Sequence, residues 1–410
     1  MVLRKNRGNR FTLPVILGCL EEKGLLEEFR VLLANSKEEI APKVKGRKAL
    51  IGYSFMTPNL EEVSEEVKWL RGNLSGTSIL IAGGAHATGD PEGTLALGFD
   101  FVFSGEAEET FPGFLDCFLA GKSLPDRIIE GNNGKALPLV HPPHSLSHRF
   151  FAPIEITRGC PYGCKYCQTP RIFGRRLRHR RPENVQFYLQ QAIPHGYLQS
   201  KFLSPNAFSY GAKRAEEPDP EKMEALLAAC KETGLEGIHF GCFPSEVRPE
   251  SVTMEVLESV KRYCRNRTIV LGAQSGSDSL LDKLNRGHTA AQAMTAARRI
   301  RQAGFRPHVD FVFGFPGETM EDRKVTLLMI DRLIQDLGGK IHAHTFMPLP
   351  GTPLFTETPS ALDSSTKSTL LDWEKRNQLD GWWKEQEDIA WKIVEWRDKG
   401  IIRARGDLSS

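Results

Sequence analysis

The sequence has 410 residues, of which 40% are hydrophobic and 26% are charged, and its formal net charge is +3. This length suits two domains, and the composition is that of a globular chain. No apolar run reaches the length of about 18 residues that a membrane-spanning helix requires. The small net charge gives no sign of a strong overall attraction to nucleic acid. We expect a cytoplasmic protein without a membrane segment.

The amino-terminal third alternates short apolar runs with helical patterns. We interpret its first apolar run, FTLPVILGCL (11–20), as a buried strand, because it is short and lacks the small-residue cleavage site of a signal peptide. Strands separated by helices predict a parallel sheet, whose glycine-rich strand ends are the expected place for a cofactor. The apolar periodicity predicts further strands at 49–55, 77–87 and 99–106, and helices at 60–73 and 108–121.

The remaining chain divides into a linker, a second strand–helix series and a tail. We expect a first domain over 1–125, a linker rich in Gly and Pro over 126–152, a second domain over 153–355 and a helical tail over 356–410. Five of the six tryptophans lie in the tail, where we expect them to pack across the open side of the sheet rather than to form a partner surface. The second domain contains six strand candidates, which predict an incomplete parallel barrel: 153–159, 200–205, 237–244, 267–275, 307–317 and 340–348.

Three of the eight cysteines are clustered in TRGCPYGCKYCQTP, where Cys160, Cys164 and Cys167 have the spacing CxxxCxxC. Thiolates are the usual ligands of iron–sulfur clusters, and three on one loop would leave the fourth iron of a cubane open to a substrate. A structural zinc site usually needs four ligands in paired CxxC units, and no second pair is present. A redox disulfide suits three spaced thiols poorly. The motif therefore favours a 4Fe–4S cluster.

This motif and three later landmarks resemble the radical S-adenosylmethionine (SAM) superfamily. The landmarks are LGAQSGSDSLLDKLNRGHT, VFGFPGET and PLPGTPLF, and they follow the motif in the family's order. The resemblance implies a radical SAM barrel that binds a 4Fe–4S cluster and SAM. The family's Gly-Gly-Glu after the second strand is replaced by SPNAF (204–208). Ser204 is one candidate for the amino-group contact of that motif, and the rival candidates near the third strand are His239, Cys242 and Glu246. The residues that the resemblance assigns to SAM are Tyr166, Ser204, Gln274, Ser275 and Arg286.

The first domain resembles the cobalamin-binding domain of one class of these enzymes. YSFMT (53–57), IAGGAHAT (81–88) and SGEAEETF (104–111) follow successive predicted strands, as they do in that class. The Asp-x-His-x-x-Gly motif, which supplies the lower cobalt ligand in other proteins, is absent, so we expect no histidine below cobalt. His86 is the obvious candidate for that position, but the resemblance makes it a structural turn residue. The residues that the resemblance assigns to cobalamin are Ser54, Phe55, Met56, Thr57, Gly83, Gly84, His86, Gly105, Glu106 and Glu108.

Together these resemblances imply an α/β protein: a short Rossmann-like cobalamin-binding domain, a partial (β/α)6 radical SAM barrel and a helical carboxyl-terminal tail. They imply a methyltransferase in which a 5′-deoxyadenosyl radical removes hydrogen from an unactivated sp3 carbon and methylcobalamin donates the methyl group. Placing the reactants and excluding water are the protein's part of such chemistry.

The segment CPYGCKYCQTPRIFG looks most like archaeal enzymes that methylate the α-carbon of a glutamine in methyl-coenzyme M reductase. We therefore expect a protein or peptide substrate and an electron donor such as ferredoxin or flavodoxin. Two alternatives remain: methylation of a small biosynthetic metabolite, and a methylthiotransferase acting on tRNA. The second would need another cysteine trio in the first domain and an RNA-binding tail, and neither is visible. The basic stretch RIFGRRLRHRRP (171–182) is better placed to contact cofactors or an acidic substrate than nucleic acid.

Overall fold

A computed structural model describes residues 1–74, 78–124, 126–131 and 138–404. It has two α/β domains, and the tail lies against both. In the described part of the chain, no helix combines the length and the apolar character that crossing a membrane would take. The parts of the predicted linker at 132–137 and of the tail at 405–410 lie outside the described residues.

The first domain is a six-stranded, fully parallel sheet with the order β2-β1-β3-β4-β5-β6. Most of the predicted strands and helices of this domain are confirmed. Its strands are β1 Val2–Arg4, β2 Leu32–Ala34, β3 Ala49–Ser54, β4 Ser78–Gly83, β5 Phe101–Ser104 and β6 Ile128–Glu130. Its helices are α1 Thr12–Glu22, α2 Leu25–Glu28, α3 Lys37–Val44, α4 Leu60–Asn73, α5 Ala85–Gly89, α6 Pro91–Ala96 and α7 Thr110–Leu119.

The prediction of a strand at 11–20 is wrong, because this segment forms helix α1. Leu13, Leu17 and Leu20 recur at helical spacing and are all buried, so one face of the helix covers the sheet. A short apolar run cannot be assigned to a strand or a helix by periodicity alone. Strand β1 instead lies before this segment. The predicted linker also contributes to the sheet, since β6 lies within it and pairs with β5.

The second domain is a partial barrel of parallel strands, and with the first domain it confirms the expected fold class. Two sheets, β7-β10-β11 and β12-β13-β14-β15, meet through a bridge between Val247 and Leu271. The short antiparallel pair β8-β9 lies beside the first strand. The strands are β7 Ile154–Glu155, β8 Thr157–Arg158, β9 Arg178–His179, β10 Gln199–Leu203, β11 Gly237–His239, β12 Thr268–Gln274, β13 Arg306–Phe313, β14 Lys340–Thr345 and β15 Leu379–Gly381.

Side chains alternate between the two faces of each barrel strand. On β13, Val309, Phe311 and Phe313 belong to the core between sheet and helices, so His308 and Asp310 face the barrel lumen. The helices outside the barrel and in the tail are α8 Thr169–Phe173, α9 Pro182–Ala192, α10 Pro220–Glu232, α11 Met254–Tyr263, α12 Asp278–Lys283, α13 Ala290–Gln302, α14 Met320–Leu337, α15 Ser364–Lys375 and α16 Trp383–Asp398.

The tail is helical, as expected, and it packs on both domains. Trp373 and Trp383 are buried in the barrel core, whereas Ile393 on α16 is part of the core of the first domain. Trp382 and Trp391 remain exposed on the tail surface. The tail also adds strand β15, which the sequence analysis did not predict.

Candidate active site

The three cysteines of the motif lie on the loop that follows β8. Gly159 opens this loop with a φ of +84°, and a Cβ there would lie 2.1 Å from a carbonyl oxygen across the loop. The backbone N–H of Cys160 donates to the carbonyl of Gly174 at 3.0 Å, and that of Cys167 donates to the carbonyl of Cys164 at 3.1 Å. The motif is thus held in a tight turn that only glycine could begin.

The spacing of the thiols tests which metal group they fit. Three ligands of one zinc ion would lie within about 4.6 Å of one another, twice the Zn–S bond length. In the described residues the cysteine trio is not among the groups whose ligand atoms lie within 4.8 Å of each other. At least two of the three sulfur atoms are therefore more than 4.8 Å apart, a spacing that suits a cubane, which offers a separate iron to each thiolate, better than one zinc ion.

Two arginines approach the middle thiol of the trio. Arg286 Nη1 lies 3.6 Å from Cys164 Sγ, and Arg248 Nη1 lies 3.8 Å from the same atom. Burial raises the pKa of Cys160 to about 11 and also raises the pKa of Cys167. Arg248 opposes this rise in pKa at Cys160 and Arg286 opposes it at Cys167, so both arginines favour the thiolate form that binds a cluster.

Arg248 and Glu250 were missed by the sequence analysis. Arg248 lies over the ring of Tyr162, 3.5 Å from its centroid, and donates to Glu250 and to the carbonyl of Arg286. Glu250 Oε2 is buried and has no hydrogen-bond partner in the described part of the chain. The sequence offered only a weak signal for these two residues, the short pattern Arg-x-Glu after Val247. The structure shows that Val247 bridges the two sheets.

Three of the residues assigned to SAM come together beside the cluster loop. The ring of Tyr166 packs against Phe315 at a centroid distance of 5.3 Å. Arg286 Nη2 donates to the carbonyl of Gly272 at 2.7 Å. A Cβ on Gly272 would lie 2.8 Å from Gln274 Nε2, 3.2 Å from Arg286 Nη2 and 3.2 Å from a carboxyl oxygen of Glu246. Polar groups of both signs therefore converge over the bare backbone of β12.

This arrangement fits the amino-acid part of SAM. Arg286 Nε is buried, and no acceptor for it occurs among the described residues. A guanidinium group with an unused N–H suits a carboxylate ligand. The carboxyl of Glu246 supplies an acceptor near the same point. It could replace the glutamate of the Gly-Gly-Glu motif, which is absent from 204–208.

The two serines assigned to SAM have other partners. Ser275 Oγ lies 3.1 Å from Thr326 Oγ1, and the backbone N–H of Ser277 donates to it. Ser204 Oγ donates to the carbonyl of Asn206 at 2.9 Å, and Ser204 lines a different cavity. Both hydroxyls are therefore engaged within the protein.

That cavity has a volume of about 410 Å³ and lies between the two domains. Its size is within the range of about 300–1,000 Å³ that is usual for ligand pockets. The strand ends of the first domain form one wall, and residues around the cluster loop form the other. Seven of the ten residues assigned to cobalamin line it: Ser54, Phe55, Met56, Gly84, Gly105, Glu106 and Glu108. A group placed here would touch the predicted cobalamin segments, so this wall suits one face of a corrinoid, which is larger than the cavity and would extend beyond it.

The other three assigned residues, Thr57, Gly83 and His86, do not line this cavity. The His86 ring is buried behind its wall, stacked on Phe55 at 5.1 Å, with Nδ1 3.0 Å from Thr57 Oγ1. Burial lowers the pKa of His86 to about 3. Within the described chain, no histidine lines the cavity, so the structure directs His86 to Thr57 rather than to a ligand.

Glu106 and Glu108 bind an arginine of the barrel. Arg158 donates to Glu106 at 2.7 Å, to Glu108 at 2.6 Å and to Glu155 at 2.6 Å, and its side chain is only 5% exposed. Arg178 adds a second ion pair to Glu106 at 2.5 Å. Although burial alone would raise the pKa of Glu108, Arg158 holds it at about 2. The Gly-Glu-x-Glu segment thus joins the two domains beside the cavity.

The basic stretch at 171–182 is divided between structure and surface. Arg178 and Arg180 are buried, and Arg180 donates to Asn184 and to the carbonyls of Glu155 and His141. Arg175, Arg176 and Arg181 are exposed. Only part of this run is therefore available to a substrate.

Comparisons with known proteins agree with this geometry. Residues 5–115 match the family model of the B12 binding domain, and residues 154–330 match that of the Radical SAM superfamily. The chain carries a B12-binding domain followed by a radical SAM domain. The radical SAM match implies a 4Fe–4S cluster and SAM, and the B12-binding match implies cobalamin. The family matches thus confirm the expected cofactors, which are a 4Fe–4S cluster, SAM and cobalamin.

Two curated proteins illustrate the relatives that match the chain. The uncharacterized protein MK0932 of Methanopyrus kandleri is 25% identical, with 72% of this chain and 66% of that protein covered. The tRNA-2-methylthio-N(6)-dimethylallyladenosine synthase of Mycolicibacterium vanbaalenii is 28% identical, with 73% and 59% covered. The chain thus spans less than two thirds of the length of these relatives.

Two solved structures share the fold. The radical SAM methyltransferase TsrM from Kitasatospora setae, with cobalamin and a 4Fe–4S cluster bound, has a TM-score of 0.66 at 16% identity, covering 87% of this chain and 76% of that one. The cobalamin-dependent SAM radical enzyme OxsB, with aqua-cobalamin bound, has a TM-score of 0.57 at 16% identity, covering 82% and 55%. At this identity the likeness establishes the architecture.

The cysteine motif yields a direct test. Replacing Cys160, Cys164 and Cys167 together by alanine should abolish the visible absorbance of the reconstituted cluster and remove about four irons per chain, since no other cysteine lies on the loop. Anaerobic reconstitution followed by iron analysis measures this. Cys242→Ala is the matched control and should keep full iron content. A triple variant that still holds about four irons would refute the assignment.

Arg158→Met should destabilise the protein by about 3–5 kcal/mol at neutral pH, because it leaves buried carboxylates without their shared cation. In the native chain, the low pKa of Glu108 contributes stability above about pH 4.3, the ordinary glutamate value, and this is lost as the pH falls toward 2. In the variant, the buried carboxylates that have lost Arg158 take up protons as the pH falls, and this removes their uncompensated negative charge. The difference in thermal midpoint should therefore shrink between pH 8 and pH 5. The exposed Arg175→Met is the control, and equal midpoints for the two variants at every pH would contradict the account.

Proposed function

We propose that this chain is a cobalamin-dependent radical SAM C-methyltransferase that acts on an unactivated sp3 carbon. The observation that carries the proposal is the shared wall between the two candidate cofactor sites. Arg158 directly precedes the cysteine loop, Thr169 and Phe173 follow it on α8, and all three line the cavity that the first domain closes. A substrate near this wall would reach both sites.

When bound, the reduced cluster and SAM supply a 5′-deoxyadenosyl radical, and cobalamin supplies the methyl group. The residues of this chain bind and orient these groups. Arg286 offers its unused Nε–H to a carboxylate, Tyr166 and Phe315 form an apolar wall, and Glu246 accepts hydrogen bonds from a cationic group. Fixed positions of this kind convert a multi-component reaction into an intramolecular one.

Gln168, next to the last cysteine, supports the placement of the two sites. Its side-chain amide donates to the carbonyl of Pro350 at 2.8 Å and to that of Ala85 at 3.4 Å. A Cβ on Gly89 would lie 2.4 Å from the same Pro350 carbonyl, so the backbones of the two domains approach closely here. Glycine at 89 and the amide at 168 thus tie the cysteine loop to the segment IAGGAHAT.

The proposed substrate is a peptide segment, with the α-carbon of a glutamine in methyl-coenzyme M reductase as the methylated atom. Besides the resemblance of the cysteine segment, a second cavity of about 960 Å³ supports a peptide. It combines exposed cations with exposed apolar side chains: Arg176, Arg181, Val140 and Phe187. An extended peptide could lie here with its backbone hydrogen-bonded and its side chains in the groove. A ferredoxin or flavodoxin is the proposed electron donor.

The rival activity is a methylthiotransferase acting on tRNA, the activity named for several relatives. That rival would need a second cysteine trio in the first domain. The first 152 residues contain two cysteines, Cys19 and Cys117. Burial raises the pKa of Cys19 well above its usual range, which makes it a poor metal ligand. These residues favour the methyltransferase.

The test uses the reconstituted chain with reductant, SAM, hydroxocobalamin and a glutamine-containing peptide from methyl-coenzyme M reductase. We expect the glutamine residue to gain the mass of one methylene, with 5′-deoxyadenosine and S-adenosylhomocysteine as coproducts. Tandem mass spectrometry locates the added group.

The matched controls are the same peptide with alanine at that position, and the Cys160→Ala enzyme. Neither should yield methylated peptide. If 5′-deoxyadenosine forms without methylation of any peptide while a small metabolite is methylated, the peptide assignment is wrong. Sulfur incorporation into tRNA would favour the rival.

A further inference from the structure

A group of metal-ligating side chains lies in the barrel lumen, away from the cysteine loop. One ligand atom each from His308, His342 and Asp380 lies within 4.8 Å of the other two. In the described part of the chain no other trio of His, Cys, Asp or Glu converges this closely. The three residues lie on β13, β14 and β15, toward the amino-terminal ends of the first two strands.

The three side chains meet at one carboxylate oxygen. His342 Nδ1 lies 2.6 Å from Asp380 Oδ1, and His308 Nε2 lies 3.3 Å from the same oxygen. Lys340 Nζ lies 2.7 Å from the other oxygen, Oδ2. The lysine therefore leaves Oδ1 as the single oxygen that faces both imidazoles.

The fold holds these groups in register. His342 pairs with Asp380 across β14 and β15. Strand β15 can approach this closely because residue 381 is glycine: its φ is +127°, and a Cβ would lie 2.1 Å from the carbonyl oxygen of Ala343. The ring of Phe243 packs on both imidazoles, at centroid distances of 4.9 Å from His342 and 5.5 Å from His308. The imidazole orientations are thus fixed by packing as well as by hydrogen bonds.

The surroundings of the trio are open to solvent and contain a further polar group. The side chains of His308 and His342 are 13% and 14% exposed, and that of Asp380 is 41% exposed, so an ion from solvent can reach them. Asp310 lies opposite His342 in register, and its buried carboxyl oxygens face the carboxyl of Glu246 but accept from no donor of the described chain. An ion in the lumen would therefore have an unused oxygen group nearby.

We propose that His308, His342 and Asp380 form a binding site for a divalent transition-metal ion. The ligands are His308 Nε2, His342 Nδ1 and Asp380 Oδ1, and the remaining coordination positions face the lumen. Two imidazoles and one carboxylate are a ligand set for zinc and non-haem iron(II). Bond lengths of about 2.0–2.2 Å place such ligands roughly 3–4 Å apart. The separation of 3.3 Å between His308 and Asp380 lies in this range, whereas the 2.6 Å hydrogen bond of His342 would lengthen when an ion binds. The site is independent of the proposed methyl transfer.

The experiment measures zinc in the full chain after its cluster and cobalamin have been reconstituted, so that the cysteine thiols are occupied. Excess iron is removed, the protein is equilibrated with Zn(II) and desalted, and zinc, iron and cobalt are counted in the same sample. The native chain should retain about one zinc more than Asp380→Asn, which keeps the volume and removes the anionic ligand. His342→Ala should lose the same zinc.

His344→Ala is the matched control. His344 is on the same strand and contacts His342 edge-to-face at a centroid distance of 4.5 Å, but its Nδ1 faces Gln386 Oε1 at 3.2 Å. It should retain zinc. Zinc should also raise the thermal midpoint of the native chain and of His344→Ala, but not that of Asp380→Asn. If the native chain holds no more zinc than Asp380→Asn, the two histidines only donate hydrogen bonds to Asp380 and the site is refuted. Loss of zinc in His344→Ala would refute this ligand set.

Discussion

The ion pairs of Arg158 constrain the rest of the candidate active site. This residue ends the strand before the cysteine loop, and its buried guanidinium group binds Glu106 and Glu108 of the other domain as well as Glu155 of its own. Buried charges of this kind are costly unless all partners are present, so the two domains are held in one relative position. The cysteine loop and the strand ends of the first domain must then face each other across the cavity.

This constraint explains how one chain can present the two proposed cofactor sites on a common wall. The position of the thiols depends on a loop that begins at a glycine and on two arginines. The proposed SAM site depends on Gly272, whose bare backbone lies under polar groups. The proposed corrinoid site depends on small residues at the ends of β3, β4 and β5. Glu106 and Glu108 line the cavity, but their oxygens are largely used by arginines. Their main contribution is to set the position of the barrel relative to the first domain.

Features encoded by neighbouring residues could be predicted from the sequence. The CxxxCxxC spacing lies on one loop, and the alternation of strands and helices gave the architecture. Helix α1 could not be assigned, because a mainly apolar run of ten residues suits a strand as well as one helical face. The arginine partners of Glu106 and Glu108 lie 50 to 72 residues away, and no local pattern connects them. The same holds for Arg248, for strand β15 and for the trio on β13, β14 and β15, which only the folded sheet brings together.

The most direct test of the central claim is an electron paramagnetic resonance spectrum of the chain loaded with cob(II)alamin. If the corrinoid occupies the cavity between the domains, no histidine of the described chain lines its site, and His86 stays buried against Thr57. Any nitrogen superhyperfine splitting should then come from the nucleotide base of the cobalamin itself and should be the same in the native chain and in His86→Ala. A nitrogen triplet that disappears in His86→Ala would contradict the account and place the corrinoid elsewhere.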